Sequence, residues 1–178
     1  MHKDVECVLF EEQVIRDKVL ELGKAITADY RDKNPVFVSV LKGSFMFVAD
    51  LIRAVDMSCH IEFMGVSSYG NKSETTGAVR ITQDLNTDIE NRHVIVVEDI
   101  LDSGLTLNYL LRYLGGRRPA SLEVCTLLDK PERRQVDVRV LYTGFQIPDA
   151  FVVGYGLDFA EQYRNLPYVG ILRPSVYK

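Results

Sequence analysis

The stretch that most limits what this chain can fold into is Val94 to Leu107, V-I-V-V-E-D-I-L-D-S-G-L-T-L. Four consecutive β-branched residues, Val94 to Val97, form an apolar run of the kind buried on both faces of a parallel sheet. Glu98 and Asp99 follow at once, which predicts a pair of carboxylates where a buried strand leaves its sheet. In open α/β sheets that edge is where ligands bind. The small and hydroxylated residues Asp102-Ser103-Gly104-Leu105-Thr106 then precede a helix-like segment, so backbone N–H groups and a helix N-terminus face outward as an anion cup. An acidic pair beside such a cup calls for a ligand with hydroxyls and phosphate, and for a divalent metal that keeps the acids from repelling it.

The rest of the chain reads as alternating strands and helices. A strand at 5–10 leads into helical spacing of Val14/Ile15, Val19, Leu22, Ile26 and Tyr30, which ends at Asn34-Pro35. Val36 to Leu41 is a strand, interrupted by Lys42-Gly43-Ser44 before an apolar helix over 45–55. A strand around 61–67 runs into the polar, aperiodic stretch from Ser68 to Gly77, the best candidate for a mobile covering loop, and Val79 to Leu85 returns from it. The helix after Thr106 stops near Gly115-Gly116, and strands are predicted over 122–128, 138–145 and 151–153. This alternation predicts an α/β domain, largely parallel, over the single span 1–178. The right-handed crossover rule brings successive loops to one edge.

Composition removes several classes of function. A net charge of -4 and a pI near 5.4 argue against a nucleic-acid or membrane-surface binder, which wants a basic face. Cys7, Cys59 and Cys125 show no C-x-x-C pair, and His2, His60 and His93 show no ligand spacing, so neither a disulfide framework nor a zinc site is expected. The first residues lack a signal-peptide pattern and no run reaches membrane-spanning length, which fits a cytoplasmic protein. There is no G-x-x-x-x-G-K-[ST], and Gly154-Tyr155-Gly156 lacks the third glycine of a dinucleotide fingerprint, which excludes the common kinase and dehydrogenase readings.

The segment V-V-E-D-I-L-D-S-G-L-T resembles the signature of the type I phosphoribosyltransferases. L-K-G-S at Leu41 to Ser44, S-S-Y-G at Ser67 to Gly70, L-L-D-K at Leu127 to Lys130 and P-D-A-F-V-V-G-Y-G-L-D at Pro148 to Asp158 narrow the resemblance to the hypoxanthine-guanine branch. The likeness runs in order over nearly the whole chain. It implies the type I phosphoribosyltransferase fold, with helices flanking the sheet and a small hood from the terminal segments. It also implies displacement of pyrophosphate from the ribose of phosphoribosyl pyrophosphate by a purine nitrogen, with Mg2+.

By the same resemblance, Glu98, Asp99, Ile100, Leu101, Asp102, Ser103, Gly104, Leu105 and Thr106 bind the phosphoribosyl group. Lys42, Gly43 and Arg164 contact the pyrophosphate. Lys130, Phe151, Val152 and Asp158 contact the purine, and Glu98, Asp99 and Asp158 face the metal. Ser68 and Tyr69 belong to the flexible loop. Asp102 is the expected general base, since its place in the loop puts a carboxylate beside the ribose where the incoming purine must lose a proton. A turn or helix-capping aspartate is the alternative reading. Leu105 stands where some family members carry a longer polar side chain, which leaves phosphate binding to backbone N–H groups. The resemblance further implies a homodimer or homotetramer. A xanthine-preferring relative and a non-catalytic regulator that senses phosphoribosyl pyrophosphate are the competing functions.

Overall fold

The computed structural model of the chain describes residues 1–68 and 79–177. In chain order the elements are β1 (Val5–Phe10), α1 (Glu12–Tyr30), β2 (Val36–Leu41), α2 (Phe45–Ala54), β3 (His60–Ser68), β4 (Val79–Gln83), β5 (His93–Leu101), α3 (Leu105–Gly115), β6 (Ser121–Asp129), β7 (Tyr142–Gln146), β8 (Val152–Val153), β9 (Val169–Leu172) and α4 (Pro174–Tyr177). Six strands form one sheet in the order β4-β3-β2-β5-β6-β7, parallel except where β4 turns back on β3. The expected α/β class with a largely parallel sheet is therefore borne out. So is the hood: β1, β9 and β8 form a separate antiparallel sheet from the two ends of the chain.

Strand alternation sorts the core into two layers. Phe37, Ile95, Val97, Cys125 and Leu127 meet α1 and α2 on one face, whereas Val36, Val38, Val40, Val94, Val96 and Val124 meet Leu107, Leu110 and Leu114 of α3 on the other. The middle of each central strand is largely apolar because both faces are covered, with Ser39 and Thr126 as buried polar exceptions. Parallel pairing of β2, β5, β6 and β7 then brings Lys42, Asp102, Lys130 and Ile147 out along a single edge.

Three boundaries differ from the sequence expectation. β5 does not end at Val97 but continues through Glu98 and Asp99 to Leu101, since β6 still pairs with it at Leu128 and Asp129 after the β2–β5 pairing has ended at Ser39. The strand expected from Val138 begins only at Tyr142. Gln135 and Val136 donate their backbone N–H groups to Ser103 O at 2.9 and 3.3 Å, so this piece is tied to the loop after β5 and joins no ladder. β9 lacked a sequence prediction, and it supplies the middle strand of the hood.

Helices α1 and α2 cross at Gly23, where an added Cβ would lie 2.6 Å from both Cβ and O of Ala54. A glycine inside a helix ordinarily costs about 1 kcal/mol relative to alanine. Here the forced separation of the helices costs about 1–3 kcal/mol, which outweighs that gain. Gly23→Ala is therefore expected to lower the urea midpoint with unchanged slope; a raised midpoint would show that this crossing is loosely packed.

Candidate active site

The loop between β5 and α3 is held from behind. Asp102 O accepts from Arg134 Nε at 3.3 Å, and Ser103 O accepts from the 135 and 136 amides. A trans peptide points its N–H opposite its C=O, so the amides of Ser103 and Gly104 face away from the 134–136 segment toward the open edge. Gly104 makes the turn at φ 84°, and a Cβ there would meet Val136 O at 2.8 Å. The loop amide of Leu105 donates to Ser103 Oγ at 3.3 Å, and α3 starts at once, with Thr106 in its first turn. This is the backbone geometry of an anion cup at a helix N-terminus.

Glu98 and Asp99 sit at the foot of the cup, with Ile100 and Leu101 completing the strand. Glu98 is buried, and burial followed by the neighbouring Asp99 charge pushes its carboxyl well above the ordinary range. Burial also raises Asp99 to about 6, opposed by the Ile100 N–H, which donates to its Oδ1 at 2.8 Å, and by the Arg164 charge. Gly43 has no side chain for a local reason: a Cβ there would fall inside the Asp99 carboxylate. A Cβ on Gly156 would likewise strike Gly43 O. The Lys42-Gly43 loop, which opens with a cis Leu41–Lys42 peptide, is thus pressed between Asp99 and the 154–156 turn.

The cations assigned to pyrophosphate meet at an unexpected residue. Lys42 Nζ pairs with Glu161 Oε2 at 2.9 Å, and Arg164 Nη2 lies 3.5 Å from Glu161 Oε1. Arg164 also donates to Gly156 O and pairs with Asp158 Oδ1 at 2.9 Å, while its buried Nε has no acceptor among the described residues. Asp158 Oδ2 in turn accepts the Glu161 N–H at 2.8 Å. The structure therefore brings Lys42, Arg164 and Asp158 together around Glu161. It does not gather Glu98, Asp99 and Asp158 into the expected metal-facing triad: among the described residues no group of three or more acidic, histidine or cysteine side chains is placed to hold an ion.

Lys130 follows β6, and its N–H is bound to Leu101 O, which fixes it beside the cup. Its ammonium is buried, which lowers its pKa, and it lies 4.0 Å from Asp102 Oδ2. The other oxygen of Asp102 accepts from Arg133 Nε at 3.1 Å, and Arg133 also reaches Asp149 at 3.8 Å. Arg134 is paired with Asp129. Val152 is buried in the hood, while Phe151 next to it is 37% exposed. Sequence reading missed Arg133, Arg134, Asp149 and Glu161. The charged run Glu132-Arg133-Arg134 beside Lys130 was the one visible signal, and such runs are ordinarily solvated. Ser68 closes β3 opposite Val79. Tyr69 and the remainder of the expected covering loop lie outside the described residues.

The chain is similar to known proteins over its length. A family model described as a phosphoribosyl transferase domain matches residues 9–160. The hypoxanthine-guanine phosphoribosyltransferase of Bacillus subtilis is 50% identical over 178 residues, covering 100% of this chain and 99% of its own. That of Staphylococcus epidermidis is 51% identical over 177 residues, with 99% of each chain covered. A crystal structure of a hypoxanthine phosphoribosyltransferase from Staphylococcus aureus superposes with a TM-score of 0.96 at 50% identity, over 100% of this chain and 97% of the other.

The Glu98–Asp99 pair makes a pH prediction. Between the ordinary carboxylate range and about pH 6 the folded pair holds protons that the unfolded chain has released, so its contribution is complete at low pH and is lost as pH rises through 6. Glu98→Gln removes one of the two like charges. At pH 8, without ligand, it is expected to raise the unfolding free energy by about 1–3 kcal/mol over the parent, and the advantage should vanish near pH 4. Paired denaturation curves across that range check the sign; a mutant destabilised at pH 8 would mean that the ionised pair is held by contacts worth more than its repulsion.

Proposed function

The chain belongs to the phosphoribosyl transferase family, and from that premise we infer that it works in purine salvage, transferring the 5-phosphoribosyl group from phosphoribosyl pyrophosphate to hypoxanthine or guanine. Pyrophosphate leaves from C1 of the ribose and a purine nitrogen bonds in its place, through an oxocarbenium-like state. The observation that best supports the purine half is the pairing of Lys130 and Asp102 at neighbouring strand ends, 4.0 Å apart. A 6-oxopurine carries an oxygen that only accepts and, beside it on the same edge, a ring nitrogen that can lose a proton. An ammonium that only donates, next to a carboxylate that accepts, is complementary to that edge.

In this reading Asp102 is the general base, and the loop from Ile100 and Leu101 through Thr106 cradles the phosphoribosyl phosphate with its N–H groups. Lys42, Gly43 and Arg164 receive the pyrophosphate, exchanging Glu161 for phosphate oxygens, a geometry to which the guanidinium fork is suited. Phe151 stacks on the base, Val152 offers it backbone, and Asp158 borders the site. Glu98 and Asp99 face the ribose hydroxyls and Mg2+. Two adjacent carboxylates, each raised by burial, fit an ion that binds through one or two acids plus substrate oxygens. Mg2+ bound there supplies charge neutralisation for the leaving pyrophosphate. Ser68 and Tyr69 open the covering loop, since β3 and β4 hold its two ends at the same sheet edge.

Residues 1–178 act in this reading as one catalytic unit, in the cytoplasm, as a homodimer or homotetramer. The free cysteines suit a reducing compartment. The retained Asp102 and Lys130 favour an enzyme over a sensor of phosphoribosyl pyrophosphate. Product formation from hypoxanthine, guanine and xanthine, each with phosphoribosyl pyrophosphate and Mg2+, tests the assignment and separates a xanthine-preferring relative.

Two substitutions test the roles. Asp102→Asn is expected to slow the chemical step on the order of 10²-fold or more while substrate binding persists. Unchanged single-turnover rates would remove Asp102 as the base. Adenine places a donor where Lys130 expects an acceptor, so the parent should prefer hypoxanthine over adenine by roughly 10⁴ in kcat/KM. In Lys130→Met, hypoxanthine efficiency and that ratio should both collapse; survival of both would show that Lys130 does not read the base.

A further inference from the structure

The short helix α4 ends on the candidate purine-stacking ring. Tyr177 lies over Phe151 with ring centroids 5.0 Å apart and planes 27° from parallel. Phe159 meets Phe151 edge-on, at 5.5 Å and 90°, and is 6.4 Å from Tyr177. These three separations form a triangle with an acute corner at Phe151, so Phe159 does not lie directly across the Phe151 ring from Tyr177. One face of Phe151 is stacked on Tyr177, and the residue still keeps 37% exposure.

The tail is fixed in place by backbone as well as by rings. Leu172 N–H donates to Phe151 O at 2.8 Å, Arg173 N–H to Asp4 O at 2.9 Å and Arg173 Nε to Lys3 O at 3.0 Å, and Val176 N–H closes the turn on Arg173 O. Both chain ends thus hold the segment that carries Tyr177 against Phe151.

We propose that Tyr177 is a positioning residue for the purine: it backs the covered face of Phe151 and presets the ring so that the base stacks on the free face. This rests on the reading that Phe151 faces the base. A phenyl ring without its backing samples several orientations, and an aromatic pair in offset stacking holds one of them. The base then binds a surface that is already oriented, which lowers the cost of ordering that side chain on binding. No contact between Tyr177 and the phosphoribosyl side of the site is involved, so the effect is confined to the purine.

The test measures KM for hypoxanthine and for phosphoribosyl pyrophosphate, kcat, and thermal midpoint for Tyr177→Ala, Tyr177→Leu, Tyr177→Phe and Phe151→Ala in the full chain with Mg2+. Tyr177→Ala should raise the hypoxanthine KM by about 3- to 10-fold, the range an aromatic pair supplies. The other substrate's KM and kcat should stay within about twofold of the parent on the same scale. Tyr177→Leu, which keeps apolar volume without a π face, should behave like the alanine variant and serves if alanine fails to fold, whereas Tyr177→Phe should match the parent. If Phe151→Ala leaves the hypoxanthine KM unchanged, the stacking reading fails and this inference with it. If Phe151→Ala raises it and the Tyr177 variants do not, the inference alone fails. A fall in hypoxanthine KM would mean that Tyr177 competes with the base, equal rises for both substrates would mean a general structural role, and a phenylalanine variant as poor as alanine would assign the effect to the hydroxyl; each overturns the proposal.

Discussion

Two adjacent carboxylates at the end of a strand buried on both faces are expensive to keep, and much of the site is arranged around keeping them. Glu98 has little access to water, and its neighbour raises its cost further. Removing like charges from solvent costs several kcal/mol per ion unless counter-charge or hydrogen bonds offset it. The protein offers Asp99 the Ile100 N–H and the distant field of Arg164, and no buried cation pairs with either acid among the described residues. Without ligand the cheapest state keeps a proton on the pair. A cation placed beside the pair would lower both carboxyls and release that proton. The glycine at 43 belongs to the same constraint, since the Asp99 carboxylate occupies the volume that any side chain there would need.

The second organising relation is between neighbouring strand ends. β5 and β6 run in parallel and stay paired to Leu101 and Asp129, so the residues that follow, Asp102 and Lys130, emerge side by side. Their separation is then set by the strand spacing and by the Lys130 N–H bond to Leu101 O. The same neighbourhood explains why 134–141 is irregular: its amides and Arg134 hold the carbonyls of Asp102 and Ser103, and this orients the loop's donors outward. A segment that completes a sheet could not also serve as that backing.

The sequence was most legible where one face or one period dominated. Continuous apolar runs marked β2, β5 and β6, and 3.6-residue spacing marked α1, because burial on a sheet or a stripe leaves a direct imprint on residue choice. Of the residues drawn from contiguous motifs, Lys42-Gly43 and Asp102 to Thr106 lie at the strand-to-helix turns expected, whereas Glu98 to Leu101 are still part of β5. What was not legible depended on residues far apart in the chain. Glu161 joins Lys42 to Arg164 across 119 positions, a link carried by three left-handed residues, Ala160, Glu161 and Tyr163, that local composition does not announce. Arg133 reads as a surface cation until the fold sets Asp102 in front of it. Val138 and Val140 alternate like a strand, and only the competing hydrogen bonds to Ser103 O keep the preceding segment out of the sheet.

In the hood only β9 escaped that reading. β9 is four residues long and contains Gly170, where a Cβ would lie 2.7 Å from Val5 Cγ1, so its short apolar run is broken at a close approach. β8, two residues within the strand expected over 151–153, pairs only with β9, and β9 in turn pairs with β1 from the other end of the chain. Val5, Val153, Tyr168 and Leu172 bury their side chains in one small cluster. A sheet of this size is marginal alone, and packing and tail contacts must hold it. Phe151 directly precedes β8, and Leu172 at the end of β9 is bonded to Phe151 O, so the backbone that aims Phe151 is only as rigid as the hood. The backbone that carries Phe151 and the docking of both terminal segments are consequently one structural unit, joined to the sheet edge through the 154–156 turn against Gly43.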